Sequence, residues 1–333
     1  MHNNGLEERL ALALKARSKI LMDEQTTAVR LFAGFCEGCP ELVVDLYGST
    51  LVLFDYAKSL TEGKVNLGIA QDFYLDKLPW IVCVVQKKRS ARDQQSRRGV
   101  LTFGESPAQQ ISEDGVIYAV DLLMNQDASF YIDTRNLRGW LLENSTGWQT
   151  LNTFAYTGSL GIAALAGGSA RVIQTDRGKK FLALARQSAI YNKFGLEKMK
   201  LRRSDFFSEV ARLKRSSALF DCVIIDPPIF SSTTKGKIDL INDSTRLINK
   251  VRPLVKDGGW LVSINNALFL SGAEYLASLE KLCQDGYLSI ESLIPIPEDI
   301  AGFPKTIINH PPTDPAPFNH STKIALLKVK RKA

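Results

Sequence analysis

The chain has 333 residues, of which 45% are hydrophobic and 23% charged, so it can bury a sizeable core or fold as two domains. It has no run of 18 apolar residues and no signal-peptide core near its start, and its five cysteines are scattered, so we expect a cytoplasmic protein without membrane spans or a disulfide framework. The net charge of +7 favours a polyanionic partner such as a nucleic acid.

The first part of the chain, residues 1–128, is predicted to be a small α+β domain. Residues 6–21 have apolar side chains at helical spacing and are predicted to form an opening helix. A basic polar stretch without apolar periodicity, residues 86–98, interrupts the later strands. The predicted strands are residues 28–33, 42–46, 51–56, 80–85, 116–122 and, just beyond this domain, 129–132, with a helix over residues 61–78.

The larger domain, residues 129–333, is predicted to be a doubly wound α/β sheet of about seven strands, because strands and helices alternate from Gln149 onward. The predicted strands are residues 150–154, 171–175, 200–203, 220–225, 259–265, 288–294 and 323–330. The predicted helices are residues 137–144, 160–166, 179–194, 206–214, 240–255 and 272–285. Residues 295–320 are rich in proline and lack a period, so we expect a long loop near the active site.

Distinctive residues follow four consecutive strands of the predicted sheet, at the edge where such folds bind ligands. After the first strand, the small residues Ala155, Gly158 and Gly161 would let a ligand approach the backbone closely. The segment lacks the G-x-G-x-x-G pattern, which disfavours a nicotinamide-dependent dehydrogenase.

The next three strands each end near an acidic residue. Asp176 could accept hydrogen bonds from both hydroxyls of an adenosine ribose, and Asp205 with Phe206 suits hydrogen bonding and stacking to adenine. Asp176 and Asp205 each have a structural alternative, because an aspartate just before a helix is a common N-cap. Asp226 is followed by two prolines, which remove backbone donors and favour a shaped loop.

The order N-x-F-x-Y-T-G, D, D-x-F, D-P-P-x-F at these strand ends resembles the bacterial large-subunit (23S) rRNA methyltransferase family, whose members methylate cytosine C5 or guanine N7 with S-adenosylmethionine. Residues 130–135, with Arg138, resemble the F-Y-x-D-x-R element before the family's first sheet strand, and residues 38–48 look like the G-L-P-G-L-V-V-D-x-Y-G of its small α+β domain. The resemblance covers residues 28–265. It implies a Rossmann-like seven-stranded methyltransferase sheet, with the smaller N-terminal α+β domain as an accessory for RNA binding.

The resemblance also implies a role for each matching residue, with S-adenosylmethionine as cofactor and S-adenosylhomocysteine as product. The methionine end of the cofactor would lie among Asp133, Arg135, Phe154, Tyr156, Thr157 and Gly158. Asp176 would hold the ribose, and Asp205 and Phe206 would hold the adenine. The target base would face Asp226, Pro227, Pro228 and Phe230, with Phe230 as a stacking wall and Asp226 also reaching the cofactor.

Two features depart from the family. The chain is too short before Ala28 for the PUA domain that many members carry, so RNA recognition is expected elsewhere. Methylation at cytosine C5 needs a thiolate, yet the loop after the fifth strand, residues 263–267, contains no cysteine. We therefore predict methylation of a base nitrogen, guanine by resemblance, positioned by Asp226, the Pro227 carbonyl and Asn265 or Asn266. Cytosine C5 methylation stays an alternative.

Basic side chains indicate where RNA could bind. Residues 86–98 are interpreted either as a phosphate-binding arm or as a solvated loop, and residues 231–237 as a flexible loop after the D-P-P motif. A second basic cluster consists of Lys198, Lys200, Arg202 and Arg203. The Cys36-x-x-Cys39 pair lacks a second ligand pair, so no metal site is predicted.

Two other functions stay open at this point. One is a small-molecule methyltransferase of the same fold, which the basic stretch disfavours. The other is a non-enzymatic RNA-binding or ribosome-assembly factor that retains the fold. The sequence leaves the oligomeric state undetermined.

Overall fold

The computed structural model describes residues 3–23, 26–91, 93 and 97–331. Contacts divide the chain into two compact units, the first comprising residues up to Asp133 together with Pro297–His310, and the second comprising Thr134–Ile296 with the residues from Pro311 onward. The predicted division between residues 128 and 129 placed the segment 297–310 in the larger domain, whereas its contacts group it with the first unit. No helix in the described part of the chain is long and apolar enough to cross a bilayer.

The first unit opens with two helices, α1 (Asn3–Ala16) and α2 (Ser18–Leu21), where one continuous helix was predicted. They separate at Arg17, whose buried guanidinium donates hydrogen bonds to Glu37 Oε1 at 2.9 Å and to the Asp299 carbonyl at 3.0 Å. A third helix, α3 (Leu60–Lys77), packs with α1 against the core of this unit.

Five strands of the first unit form one sheet in chain order. They are β1 (Ala28–Phe32), β2 (Leu42–Tyr47), β3 (Thr50–Asp55), β4 (Cys83–Lys88) and β5 (Val100–Phe103). The β3 and β4 strands are parallel because α3 provides the crossover between them, and the other neighbours are antiparallel. A separate hairpin consists of β6 (Gln110–Glu113) and β7 (Val116–Ala119).

One sequence expectation for this unit is wrong, and the bounds of another differ from those predicted. Residues 129–132 do not form a strand, because Ser129 has a left-handed φ of +59° and Ile132 begins a short 3-10 helix. The predicted strand at residues 80–85 lies further along the chain as β4, after a turn in which the Ile81 amide donates to the Leu78 carbonyl. The strands β5 and β6 were not predicted, since four-residue strands carry little periodicity.

The second unit contains the predicted seven-stranded sheet, whose strands and helices agree in type with the sequence prediction, and a two-stranded hairpin that was not predicted. Its strands are β8 (Gln149–Thr153), β9 (Arg171–Asp176), β10 (Met199–Arg203), β11 (Phe220–Ile225), β14 (Val255–Asn265), β15 (Leu288–Ile294) and β16 (Lys323–Val329), with a hairpin of β12 (Phe230–Thr233) and β13 (Gly236–Asp239). Its helices are α4 (Arg135–Asn144), α5 (Ser159–Ala166), α6 (Lys179–Tyr191), α7 (Phe206–Arg215), α8 (Leu240–Val251) and α9 (Gly272–Cys283).

The strand order of this sheet is β10-β9-β8-β11-β14-β16-β15. The first five strands in that order are mutually parallel, and β16 is antiparallel to both of its neighbours. Central strands such as β11 are buried on both faces, which explains their continuous apolar sequence. The carboxyl ends of the five parallel strands therefore share one edge, and the order reverses on either side of β8.

The expected long loop at residues 295–320 is not a single loop. Its middle portion belongs to the first unit and contains a short helix, Glu298–Ala301, in which the Asp299 carboxylate accepts a hydrogen bond from the Arg30 amide at 3.0 Å. Its last portion belongs to the second unit, where the Asp314 carbonyl accepts the Gly272 amide at 2.9 Å. The segment is thus fixed at separate points by hydrogen bonds to residues far away in sequence, which no local pattern encodes.

Candidate active site

The loop after β8 carries unusual backbone geometry. Phe154 and Tyr156 have left-handed φ angles of +55° and +50°, which cost non-glycine residues energy and concentrate at functional sites. The strain is offset by hydrogen bonds to the neighbouring strand end, from the Ala155 amide to the Thr175 carbonyl at 2.9 Å and from the Tyr156 amide to Asp176 Oδ2 at 2.9 Å. The loop is therefore held in one shape at the ligand edge of the sheet.

Asp176 lies at the carboxyl end of β9, as predicted, and its carboxylate is oriented by the backbone. The amides of Tyr156 and Gly178 donate to it at 2.9 and 2.7 Å. Burial raises the pKa of this carboxyl, and the amide hydrogen bonds oppose that rise. A carboxylate has about four acceptor positions, so a hydroxyl group of a ligand can still donate to it.

The glycines of this loop have a packing role in addition to the predicted approach of a ligand, which stays a prediction. A Cβ on Gly161 would lie 2.5 Å from Gln174 Oε1, and one on Gly158 would lie 2.5 Å from the Ala185 Cβ. Their small size thus lets the loop and α5 pack against β9 and α6. Gln174 also accepts a hydrogen bond from Asn152 Nδ2 at 3.1 Å, within a buried polar layer that sequence reasoning missed.

Asp205 and Phe206 have clear structural roles at the end of β10. Asp205 is the N-cap of α7, with Oδ1 accepting the Phe207 amide at 3.0 Å, which was the structural alternative. Phe206 is 4% exposed and stacks on Phe154, with ring centroids 4.6 Å apart. The open aromatic face expected for adenine is therefore absent at Phe206, because that ring belongs to the core. An adenine contact of these residues stays a prediction.

The D-P-P segment after β11 places exposed apolar surface at the same edge. Pro227 is buried, whereas Pro228 and Ile229 are exposed and Phe230 is 60% exposed. Phe230 begins the β12–β13 hairpin, and Lys237 Nζ lies 5.2 Å from its ring centroid. The loop expected at residues 231–237 is instead part of this hairpin, because residues 231–233 pair with residues 236–238 and residues 234–235 form the turn.

The loop after β14 distinguishes two neighbouring asparagines. Asn265 is fully buried, with Nδ2 donating to the Leu240 carbonyl at 3.2 Å and Oδ1 accepting the Ala267 amide at 3.0 Å. Both of its polar atoms are engaged inside the fold, so the geometry gives Asn265 a structural role in place of the catalytic one predicted. Asn266 Oδ1 is also buried, and no described residue provides it with a hydrogen-bond partner.

A buried lysine that the sequence reasoning missed supports this loop. Lys323, the first residue of β16, pairs with Asn265 across the sheet and donates from Nζ to the Ala267 carbonyl at 3.0 Å. Burial lowers its pKa to about 8. A lysine at the start of an otherwise apolar strand was the available signal. Asn265 and Lys323 together fix both backbone groups of Ala267 and hence the position of Asn266.

The other residues predicted to contact the cofactor lie in both units. Thr157 is buried in the β8 loop, Asp226 is half-buried after β11, and Arg135 begins α4 of the second unit. Asp133 belongs to the first unit, in the 3-10 helix Ile132–Thr134. Their contacts with a cofactor stay predictions.

The predicted RNA-binding arm at residues 86–98 is partly structural. Lys87 is fully buried and donates to the Asn125 carbonyl at 2.7 Å, and burial lowers its pKa to about 8. Arg97 and Arg98 line a cavity of about 360 Å³ in the first unit. Arg92 lies outside the described residues.

The Cys36-x-x-Cys39 pair lies in the first unit, where Cys39 is buried and Cys36 is half-buried. Burial, with a contribution from Glu41, raises the pKa of the Cys39 thiol to about 11, which opposes the thiolate form that metals require. Within the described ranges, no group of three or more His, Cys, Asp or Glu residues is arranged to hold a metal ion.

The chain is similar to proteins of known class along most of its length. A model of the S-adenosylmethionine-dependent methyltransferase family matches residues 85–286. A Bacillus subtilis protein named "Putative ribosomal RNA large subunit methyltransferase YwbD" is 28% identical over 89% of this chain and 76% of its own length. The "Ribosomal RNA large subunit methyltransferase I" of Aeromonas salmonicida is 28% identical over 68% of this chain, which spans only 57% of that relative.

A solved structure shares the fold. The crystal structure of SMU.776 complexed with SAH superposes with a TM-score of 0.86 and 20% identity, covering 99% of this chain and 82% of that one.

Proposed function

Because the chain belongs to the S-adenosylmethionine-dependent methyltransferase family, we propose that it methylates RNA of the large ribosomal subunit at a base nitrogen. The names of the curated relatives support the ribosomal substrate, and the net charge of +7 is compatible with a polyanion. A ribosomal substrate would place the enzyme in the cytoplasm. The observation that carries the choice of nitrogen is the loop after β14, which offers Asn266 and no thiol.

The second unit fits the cofactor at the ligand edge of its sheet. S-adenosylmethionine supplies an electrophilic methyl group on a sulfonium. Asp176, oriented by two backbone amides, would accept a ribose hydroxyl, as a fixed and half-buried carboxylate is suited to do. The strained β8 loop with Tyr156, Thr157 and Gly158 would hold the methionine end, to which the resemblance also assigns Asp133 and Arg135.

The residues after β11 and β14 would bind the target base. Phe230 offers an exposed ring on which a flipped or single-stranded base can stack. Asp226 and the Pro227 carbonyl would accept hydrogen bonds from base N–H groups, as would Asn266 Oδ1. A ring nitrogen such as guanine N7 attacks with its own lone pair, so positioning suffices. An exocyclic amine would also lose a proton, for which Asp226 is the nearest candidate acceptor in sequence.

The alternative of cytosine C5 methylation lacks a nucleophile at this site. Of the two cysteines in the second unit, Cys222 is fully buried within β11, and burial raises its thiol pKa well above the usual range. Cys283 ends α9, and burial raises its thiol pKa as well. Neither has the exposure and lowered pKa of an attacking thiolate.

The proposal is tested by methyl transfer from labelled S-adenosylmethionine to isolated rRNA and to ribosomal subunits. Nucleoside mass spectrometry of the product should reveal one methylated base with the methyl group on nitrogen. Incorporation at cytosine C5 would refute the choice of nitrogen. Binding of S-adenosylmethionine without transfer to any RNA would refute the RNA substrate and favour a small-molecule acceptor.

A further inference from the structure

We propose that the face of β10 bearing Lys200 and Arg202 binds the phosphate backbone of the substrate RNA. The inference rests on the proposed function and adds to it a surface for the nucleic acid. It assigns a phosphate contact to each of these two side chains, and it places Arg171 and Arg212 beside them as the rest of the same cationic surface.

The sheet brings these four side chains to one face. β10 is an edge strand whose one neighbour in the sheet is β9. Lys200 and Arg202 alternate with Met199 and Leu201, so they point to the opposite face from Met199, whose sulfur receives a hydrogen bond from Gln174. In the parallel register Lys200 is level with Ile173 of β9.

The same face is covered in part by α7. Ile173 packs in one core cluster with Val210 and Leu213 of that helix. Arg212 of α7 therefore lies on the same side of the sheet as the Lys200 side chain. Arg171 is two residues before Ile173 on β9, so its side chain points to that face as well. Two strands and one helix thus contribute cations to a surface wider than a single small anion would require.

The charges of this surface are not balanced internally. Arg202, then burial, then Arg171 and Arg212 lower the pKa of Lys200, and Glu209 opposes this only weakly. Glu209 is already engaged with Arg212, whose Nε donates to Oε2 at 3.0 Å and whose Nη2 pairs with Oε1. Repulsion among the cations is a cost of the folded state that bound phosphates would offset.

Arg202 provides an independent observation. Its Nε is buried, and within the described ranges no acceptor is available to it. Buried donors are nearly always paired in folded proteins, so this one calls for an acceptor from outside the chain. A phosphate oxygen is the acceptor that a guanidinium binds best, often through two parallel N–H groups.

Edge strands often carry lysines merely to prevent aggregation. One or two isolated cations are enough for that purpose, and they are ordinarily solvated. The half-buried Lys200 and Arg202, clustered with two further arginines, exceed that need.

The test compares two variants that lose the same charge. Lys200→Gln with Arg202→Gln removes two cations from this face, and Lys281→Gln with Lys330→Gln removes two exposed cations near the opposite edge of the sheet, from α9 and just after β16. Binding of a fluorescent 20-nucleotide single-stranded oligouridylate is measured by anisotropy at several KCl concentrations, with the full chain. The slope of log affinity against log salt concentration should become less negative by about 1.4 in the first variant, since each phosphate contact with a single strand contributes about −0.7 to that slope.

The control variant should keep the wild-type salt dependence. The charge-preserving variant Lys200→Arg with Arg202→Lys should retain most of it as well, which distinguishes a charge effect from a folding defect. Equal salt dependence in wild type and in Lys200→Gln with Arg202→Gln would overturn the inference, as would an equal loss in the control variant.

Methyl transfer by the wild type separates this inference from the proposed function. If the wild type methylates rRNA but the β10 substitutions leave the salt dependence of RNA binding unchanged, the proposed function is supported and the proposed RNA-binding surface is refuted. RNA binding that depends on the β10 cations without methyl transfer would support the surface and refute the function.

Discussion

Replacement of Asn266 by alanine should lower activity without lowering stability. In the folded protein Asn266 Oδ1 is buried without a hydrogen-bond partner among the described residues, so the side chain adds little to the fold. Bound RNA would supply the missing donor from the target base. The neighbouring Asn265→Ala is the matched control, because Asn265 is engaged with the Leu240 carbonyl and the Ala267 amide.

Asn266→Ala should mainly lower kcat/KM, whereas Asn265→Ala should mainly lower the free energy of unfolding. Loss of one hydrogen bond that positions the base should cost about 1–3 kcal/mol in the transition state, or roughly a 5-fold to 150-fold decrease in kcat/KM. Asn266→Ala also removes an unsatisfied buried oxygen, so its free energy of unfolding should stay within about 0.5 kcal/mol of wild type or rise. Asn265→Ala leaves a carbonyl and an amide unpaired, which should destabilise the protein by about 2–4 kcal/mol.

Initial rates of methyl transfer and thermal melting measured on the same preparations give both quantities. For a unit of this size a loss of 2 kcal/mol lowers the melting temperature by roughly 4–8 °C. The reasoning fails if Asn266→Ala melts as early as Asn265→Ala, or if it methylates RNA at the wild-type rate.

Three further predictions address the cofactor, the base and the buried lysine. Asp176→Asn should weaken S-adenosylmethionine binding in calorimetry by roughly tenfold to hundredfold, since it replaces a charge-assisted hydrogen bond with a neutral one, and unchanged affinity would contradict the ribose assignment. Phe230→Ala should raise KM for RNA roughly tenfold while Phe230→Tyr retains affinity, because stacking on an aromatic ring is worth about 1–3 kcal/mol per base. Between pH 8 and 10.5 the unfolded chain binds more protons than the folded one at Lys323, which contributes a rise of the free energy of unfolding with pH. Urea titrations at each pH should therefore give Lys323→Met a lower slope of that free energy against pH than wild type, and equal slopes would contradict the lowered pKa of Lys323.

The sheet of the second unit was predictable because its signals are local. Buried parallel strands such as β11 are continuous apolar runs, and Asp176, Asp205 and Asp226 mark the points where strands end. That topology also predicts that these three aspartates lie at one edge of the sheet, since the carboxyl ends of parallel strands meet there.

The details that decide the chemistry were less accessible. Which of Asn265 and Asn266 is available depends on Leu240 and Lys323, which lie tens of residues away in sequence. Phe206 satisfied the motif but stacks on Phe154, a contact that no pattern within either segment specifies. The β12–β13 hairpin is mostly polar, with Phe230 and Ile238 as its apolar residues, so no alternating apolar pattern marks it as two strands.

The segment Pro297–His310 has a consequence for how the chain folds during synthesis. It completes the first unit, where the Asp299 carbonyl accepts from Arg17, the Asp299 carboxylate accepts from the Arg30 amide, and the Cys36 carbonyl accepts from Ile308. The first unit is translated early, but its polar groups that bond to residues 297–310 can pair only after nearly the whole chain has been synthesised. A nascent fragment ending near Asp133 would emerge from the ribosome with these donors and acceptors open, and it should need chaperone protection until the late segment arrives.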